Sequence, residues 1–348
     1  MKVYFAPVYR NNPYQNDLMT ELSKLGVDIG IGETGTKAFF ATPNLETADI
    51  IHFHWFEPFV LGGSPWKTLI KVFVFLYRIK RLKGNRKFVW TVHNLESHEK
   101  SYSKIVNYFL KEFICLVDAF SVHNLHSKDK LLKLGVDPSK IYHIPHGNYI
   151  NSYPKYVGSI KEFRKSRFEK AENKKIVMFL GNVRPYKGIT DLILAFKNIK
   201  SQTSILYICG VIKFKSDRDL ILNLIENEDN IELLEGYVPD NEISAFLASA
   251  DLMVYPYKDI LTSGALILGM SYGKMCIASN AGSMSELLGD KFIYHDNQEL
   301  IEKLLEFEKI GEEDILKNGL FNLNIISSDS WESVAEKTFK MYNKIINK

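Results

Sequence analysis

Short apolar runs alternate with helix-length amphipathic segments along almost the whole chain, and that rhythm is the strongest constraint on its fold. Strand-like runs fall at 2–8, 27–32, 49–54, 87–93, 118–123 and 141–144, with helical patterns at 15–25, 67–82, 100–116 and 126–134 between them. A polar stretch follows at 148–160. The rhythm then resumes, with strands near 175–181, 203–209, 231–234, 251–255 and 275–279 and helices between them. Alternation of this kind predicts parallel sheets wound on both faces by helices. Broken once near the middle, it predicts two such α/β domains. A length of 348 residues suits two cores better than one. The expected layout is a first domain over 1–150, a linker over 151–165, a second domain over 166–327 and a terminal helix over 328–348. Ser328 or Ser330 caps that helix in this reading, with Trp331, Val334, Phe339 and Tyr342 on its apolar stripe.

Composition narrows the class. The three cysteines, Cys115, Cys209 and Cys276, lie far apart in apolar settings, which fits neither a disulfide framework nor a zinc site and points to a reducing compartment. The N-terminus reads as a strand rather than a signal peptide, and the apolar run Val72 to Tyr77 is too short to span a bilayer. The expectation is a cytoplasmic protein, soluble or peripheral to the membrane. The net charge of +3 divides into +6 over residues 1–150 and −3 over the remainder. Segment 66–87 carries eight basic residues, no acidic one, and Trp66, Phe73, Phe75 and Tyr77. A basic, aromatic helix is a signature of an anionic membrane surface, and a core helix with a solvated basic face is its plain alternative. No nucleic-acid module accompanies the patch, so nucleic acid is not expected as a partner.

Ligands of open parallel sheets bind beyond the carboxyl ends of the strands. In the second half, the run Ile176 to Leu180 meets Gly181-Asn182-Val183-Arg184-Pro185-Tyr186-Lys187-Gly188 and then a helical pattern. A strand, a glycine turn and a helix start beside two cations make a seat for a diphosphate. A second junction, Thr262-Ser263-Gly264, suits an anion or an ordinary helix cap. A third, Ser283 to Glu286, has the spacing of a capping box. Asp217-Arg218-Asp219 is a weak metal signal at a helix start. In the first half, eight of the nine histidines gather mostly at strand ends. His54, His93 and His123 follow strands, and Glu96, His98 and Glu99 follow His93. Histidine suits hydrogen bonding or proton transfer near neutral pH. Each of these imidazoles also has a structural reading as a buried hydrogen-bond partner. A metal at His93, His98 and Glu99 is disfavoured by their spacing.

With these residues in view, the chain resembles a bacterial glycosyltransferase of the two-domain GT-B fold, group 1 or family 4. Gly181 to Gly188 is similar to that family's G-R-L-x-x-x-K-G, Ala250-Asp251-Leu252-Met253-Val254-Tyr255-Pro256 to its A-D-x-x-v-x-P strand, and Gly282 to Glu286 to its G-G-x-x-E loop. Thr91-Val92-His93 and Ile144-Pro145-His146-Gly147 resemble its first-domain signatures.

The resemblance implies two Rossmann-like domains facing across a cleft. It implies a nucleotide-sugar co-substrate (UDP-, GDP- or dTDP-linked) and no metal or other cofactor. Donor binding falls to Gly181, Asn182, Arg184, Lys187, Tyr237, Thr262, Ser263, Gly264 and Glu286. The acceptor, a glycan or polyprenyl-linked glycolipid of envelope, capsule or exopolysaccharide synthesis, falls to Tyr9, Arg10, Asn11, His54 and His123. His93 heads the candidates for catalytic base, with Glu96 and Glu99 after it. Two departures stand out. Asn182 replaces an arginine, and the family's paired glutamates fall on Ile260 and Leu268. The second departure keeps a binding protein that has lost catalysis, or a sugar-nucleotide epimerase, as alternatives.

Overall fold

The computed structural model describes residues 1–95 and 102–347 and divides into two compact units, Met1–Gly147 with Asp329–Lys348, and Asn148–Ser328. The first contains β1 (Lys2–Ala6), α1 (Pro13–Lys24), β2 (Asp28–Ile31), α2 (Thr36–Phe39), β3 (Ile50–Phe53), α3 (Glu57–Val60), α4 (Pro65–Lys83), β4 (Lys87–Thr91), α5 (Ser103–Ile114), β5 (Ala119–Val122), α6 (Leu125–Lys133) and β6 (Ile141–His143). The second contains α7 (Ile160–Arg167), β7 (Lys175–Leu180), α8 (Ile189–Ile199), β8 (Ser204–Gly210), α9 (Lys215–Ile225), β9 (Ile231–Glu235), α10 (Asp240–Ser249), β10 (Leu252–Tyr255), α11 (Gly264–Ser271), β11 (Met275–Ser279), α12 (Met284–Leu288), β12 (Ile293–Tyr294), α13 (Asn297–Lys309) and α14 (Glu312–Ile326). The last helix, α15 (Trp331–Ile346), belongs to the first unit.

Each unit is a six-stranded parallel sheet of Rossmann-like winding. The first runs β2-β1-β3-β4-β5-β6 and the second β12-β11-β10-β7-β8-β9. Strand order therefore reverses between β1 and β3 in one sheet, and between β7 and β10 in the other. Those reversals open crevices at the carboxyl ends of the flanking strands. The strands read as unbroken apolar runs because both faces are covered. All seven residues of β8 are buried, as are all four of β3, β5 and β10.

Asp251 directly precedes β10 and organises the amino edge of the second sheet. Its carboxylate accepts from Ile176 N at 2.7 Å and pairs with Arg164 at 3.1 Å. Arg164 lies on α7, and this corrects the expected linker at 151–165. Tyr156 N donates to Ser244 Oγ at 2.7 Å, and Phe163 packs 5.6 Å from Phe246. The segment is part of the second unit, because its alternate apolar residues find a partner in α10. The terminal helix also differs in one residue. Ser330 accepts from Ser333 N, and Trp331, Val334 and Tyr342 are buried as expected, but Phe339 is half-exposed while Ala335 and Thr338 take the inner face.

At the β7/β10 reversal the backbones come very close. Gly188 has φ +65°, and a Cβ there would lie 1.9 Å from Pro256 O. Only glycine meets both demands. Gly188→Ala is expected to destabilise the second unit by about 3 kcal/mol, combining left-handed strain with overpacking. Gly289→Ala, at φ +68° with open space around it, carries only the strain. Unfolding curves of the two variants check this, and equal losses would refute the close-approach argument.

Candidate functional site

The second unit gathers the anion seat around its strand reversal. Lys187 projects from the turn after β7 with its Nζ 5.6 Å from the centre of the Phe179 ring and 5.2 Å from that of Tyr257. Among the described residues its ammonium has no hydrogen bond or ion pair. Burial, and then the neighbouring Arg184, lower its pKa to about 8. Among the described residues the Arg184 guanidinium has one hydrogen bond, to the carbonyl of Val183 at 3.3 Å. No side chain caps α8, so its first-turn N–H groups face the same turn. Two unpaired cations beside an uncapped helix start are costly until an anion arrives.

The loop after β10 joins this seat. Lys258 N donates to Tyr186 O at 2.7 Å, and Ser263 lies near the buried Tyr257 hydroxyl. Ser263 is also the cap of α11, its Oγ accepting from Leu266 N at 3.1 Å. The capping reading of that residue is therefore the structural one, and Thr262 and Gly264 beside it are half-exposed. Gly282 packs against Ile260 O, and Ser283 donates to Leu261 O at 2.7 Å. The capping box expected for Ser283 and Glu286 is absent, because that hydroxyl is used to hold the neighbouring loop. Glu286 lies in the first turn of α12. Gly181 is half-buried in the turn and Asn182 is exposed. Tyr237 is 67 % exposed and bonded to Asp240. Arg218 of the weak metal signal is held by Glu235 at 2.6 Å. Tyr257 was missed in the sequence, although its place directly after the Pro256 that ends a strand was the signal.

The first unit builds a different kind of site. Tyr14, buried on α1, is ringed edge-on by His93 at 4.8 Å, His146 at 4.9 Å, Trp331 at 5.1 Å, His123 at 5.4 Å and His54 at 5.8 Å. His52 spans from Tyr342 Oη (2.5 Å to Nδ1) to Thr91 Oγ1 (2.7 Å to Nε2), tying α15 to the sheet. His54 Nδ1 and His93 Nε2 share a hydrogen bond of 3.0 Å, and His123 Nδ1 donates to Ile144 O at 2.9 Å. The spare Nε2 atoms of His54 and His123 are buried without partners among the described residues. The pattern of histidines at strand ends thus marked a real cluster, and its hub, Tyr14, was missed because its partners are far apart in sequence.

Burial lowers the pKa of every histidine in this cluster, to about 3 for His52 and His146, about 4 for His123, and well below the usual value for His54 and His93. His93, half-exposed just beyond β4, is therefore held neutral, with its Nε2 engaged by His54. His54 and His123 are interior, whereas Tyr9, Arg10 and Asn11 are exposed on the loop after β1. Gln15 holds that loop, accepting from Tyr9 N and donating to Pro7 O, both at 2.8 Å. Trp55 stacks on His93 at 4.3 Å and 14°. Glu96, His98 and Glu99 lie outside the described residues.

The neutral cluster has a pH signature. The folded pKa values lie below the unfolded one near 6.5, so the stabilisation is full above that pH and falls as acid protonates the unfolded chain. Each histidine contributes a slope of about 1.4 kcal/mol per pH unit. Denaturation at pH 7.5, 6.5 and 5.5 should show a steep loss over the last step. A flat profile would mean that these imidazoles titrate in the folded protein.

The model "Glycosyl transferases group 1" matches residues 160–318, and "Glycosyltransferase Family 4" matches 40–148. A GDP-mannose:glycolipid 4-beta-D-mannosyltransferase of Xanthomonas campestris pv. campestris is 22% identical over 262 residues, 72% of this chain and 67% of that protein. The match thus spans about two thirds of that enzyme's length. Among solved structures, Anabaena Alr3699/HepE in complex with UDP and glucose is similar at TM-score 0.73 and 15% identity, over 99% of this chain and all of that one. Sucrose-phosphate synthase from Thermosynechococcus elongatus reaches TM-score 0.79 at 14% identity, over 99% of each chain. With one domain model in each unit and a doubled Rossmann-like fold, the chain belongs to the group 1/family 4-like glycosyltransferases of GT-B fold.

Proposed function

We propose that the protein transfers a hexose from a nucleotide-diphosphate-sugar to a glycolipid or glycan acceptor at the cytoplasmic face of a bacterial membrane, without a metal. The observation that carries the donor half is the unpaired ammonium of Lys187 between Phe179 and Tyr257, with Arg184 beside it. As the sugar leaves, negative charge grows on the diphosphate. Fixed cations and N–H groups that meet it lower the barrier, by about 2.7–4 kcal/mol for one well-placed donor. The relatives' names support the substrate classes, since one uses GDP-mannose and a glycolipid and a structural neighbour holds UDP and glucose.

The acceptor class rests on α4. Its inner face buries Val72, Phe75, Leu76 and Ile79. Its outer face exposes Trp66 (75 %), Ile70, Phe73 and Tyr77 (61 %) at helical spacing. Several of its cations are already engaged. Lys80 pairs with Glu112, Lys83 with Asp118, Lys71 donates to Leu61 O, and Arg78 lies 4.3 Å from the centre of the Phe40 ring. The outer face is thus an apolar, aromatic stripe rimmed by Lys67 and Arg81, a face suited to insertion at a lipid headgroup boundary. Among the described residues no helix is long and apolar enough to cross a membrane. A binding protein without catalysis is the second reading, favoured by the buried Ile260 where the family carries a glutamate.

A thermal-shift panel of UDP-, GDP- and dTDP-sugars tests the donor half. One nucleotide class should stabilise the wild type, and Lys187→Ala should lose most of the shift. Affinity should hold below about pH 8 and weaken as Lys187 loses its proton above it. No shift with any nucleotide would sink the donor assignment, and a shift without transfer to any acceptor extract would favour the second reading.

Flotation tests the membrane half. The protein should rise with vesicles containing phosphatidylglycerol, less so at high salt, and the triple variant Trp66→Ser, Phe73→Ser, Tyr77→Ser should remain in the soluble fraction. Equal recovery of variant and wild type would refute the role of this face.

A further inference from the structure

A crevice in the first unit opens where β3 and β4 end, the edge at which parallel sheets receive ligands. Most of its lining is apolar, from Val60 and Leu61 at the end of α3 and from Val106, Phe109 and Leu110 of α5. The polar part of the lining comes from elsewhere, from the loops after the two strands and the first residue of α3. It includes Trp55, Glu57 and Asn94, all half-exposed. No lysine or arginine is among the described lining residues.

The crevice is held open by its surroundings. Phe56 packs 5.1 Å from Trp90 and 5.2 Å from Phe109, and Trp90 Nε1 donates to His54 O at 3.2 Å. Leu61 O accepts from Lys71 Nζ at 2.7 Å, and Gly62 N donates to Thr68 Oγ1 at 3.0 Å. Both of those partners lie on α4, so the wall at Leu61 is fixed to the helix whose first turn bears the exposed Trp66. Protein interiors are close-packed, and an apolar crevice left open to water is costly unless a ligand fills it.

Glu57 supplies the polar half of the chemistry. Among the described residues its carboxylate has no ion pair and no hydrogen bond to another side chain, and withdrawal from water raises its pKa above the ordinary carboxylate value. Asp49 and Asp118 precede β3 and β5, at the opposite edge of the sheet, and each is committed to a backbone N–H. A carboxylate with spare acceptor capacity suits the hydroxyls of a sugar. The absence of a cation from the described lining makes it a poor seat for a phosphate.

We propose that this crevice seats an acceptor at the junction of its sugar and an uncharged apolar aglycone, an alkyl or prenyl chain, with Glu57 accepting hydrogen bonds from the sugar hydroxyls. The proposal rests on the glycosyl-transfer reading above and narrows its acceptor to a neutral glycolipid. Glu57 acts in recognition. A soluble glycan lacks the arm that covers Val60 and Phe109, and a lipid diphosphate brings negative charge toward an acid.

The test is methyl NMR of the full chain titrated with n-octyl β-D-glucoside below its micelle-forming concentration, and separately with glucose and with farnesyl diphosphate. Octyl glucoside should shift the methyl signals of Val60, Leu61, Val106 and Leu110, and the other two probes should leave them in place. Glu57→Gln should bind octyl glucoside about tenfold more weakly, through loss of a charge-assisted hydrogen bond, with an unchanged melting temperature. Val60→Phe, which fills the crevice, should abolish the shifts. Shifts confined to Ile70 and Val74 on the outer face of α4, no shift at all, equal binding of farnesyl diphosphate, or a Glu57→Gln affinity within about twofold of wild type would overturn the proposal and leave the nucleotide site standing. Failure of every nucleotide to stabilise the protein would instead remove the transfer reading and leave this seat as a glycolipid-binding site.

Discussion

Parallel strand pairing is the constraint from which the rest of the molecule follows. When every strand of a sheet runs the same way, all its carboxyl ends emerge on one edge, and every connecting loop that starts there competes for the same space. Where the strand order reverses, between β1 and β3 and between β7 and β10, neighbouring loops diverge and leave room. The residues with chemical capacity collect at those two places. Gly188 can approach Pro256 only because it lacks a Cβ, and that approach brings the turn bearing Lys187 against the loop bearing Tyr257.

The two units treat polar groups in opposite ways. The second keeps a cation without a counter-ion, holding the Lys187 ammonium against aromatic faces and lowering its pKa only to about 8, so that it stays charged near neutrality and attracts an anion. The first keeps five imidazoles neutral by burial and links them to Tyr14, Thr91 and Tyr342. One arrangement is electrically unsatisfied and waits for a ligand. The other is neutral and hydrogen-bonded at most of its imidazoles, with the Nε2 atoms of His54 and His123 left over among the described residues.

Much of this was legible in the chain. Unbroken apolar runs of strand length announced buried parallel strands, and Ser328 or Ser330 announced the start of α15, which the structure assigns to Ser330. The misreadings share a cause. The stretch 151–165 looks like a linker because its apolar residues are few, yet Phe163 and Arg164 find Phe246 and Asp251 more than eighty positions away. Ser283 and Glu286 have the spacing of a capping box, but the Ser283 hydroxyl is drawn to Leu261 O by a close approach that Gly282 permits. Local pattern supplies local partners only, and a long-range partner overrides them where it offers a better hydrogen bond.

By itself, then, the order of residues determined two doubly wound α/β units, a phosphate-seating turn at Gly181 to Gly188, and a concentration of histidines at the strand ends of the first unit. These follow from periodicity and turn chemistry, which act over a few residues. Only the tertiary structure decided the state and company of those groups: that the imidazoles are neutral around Tyr14, and that Lys187 lies near two aromatic rings with no acid paired to it among the described residues. Charge state depends on burial and on neighbours within a few ångströms, and those neighbours come from strands and helices that the chain brings together only on folding.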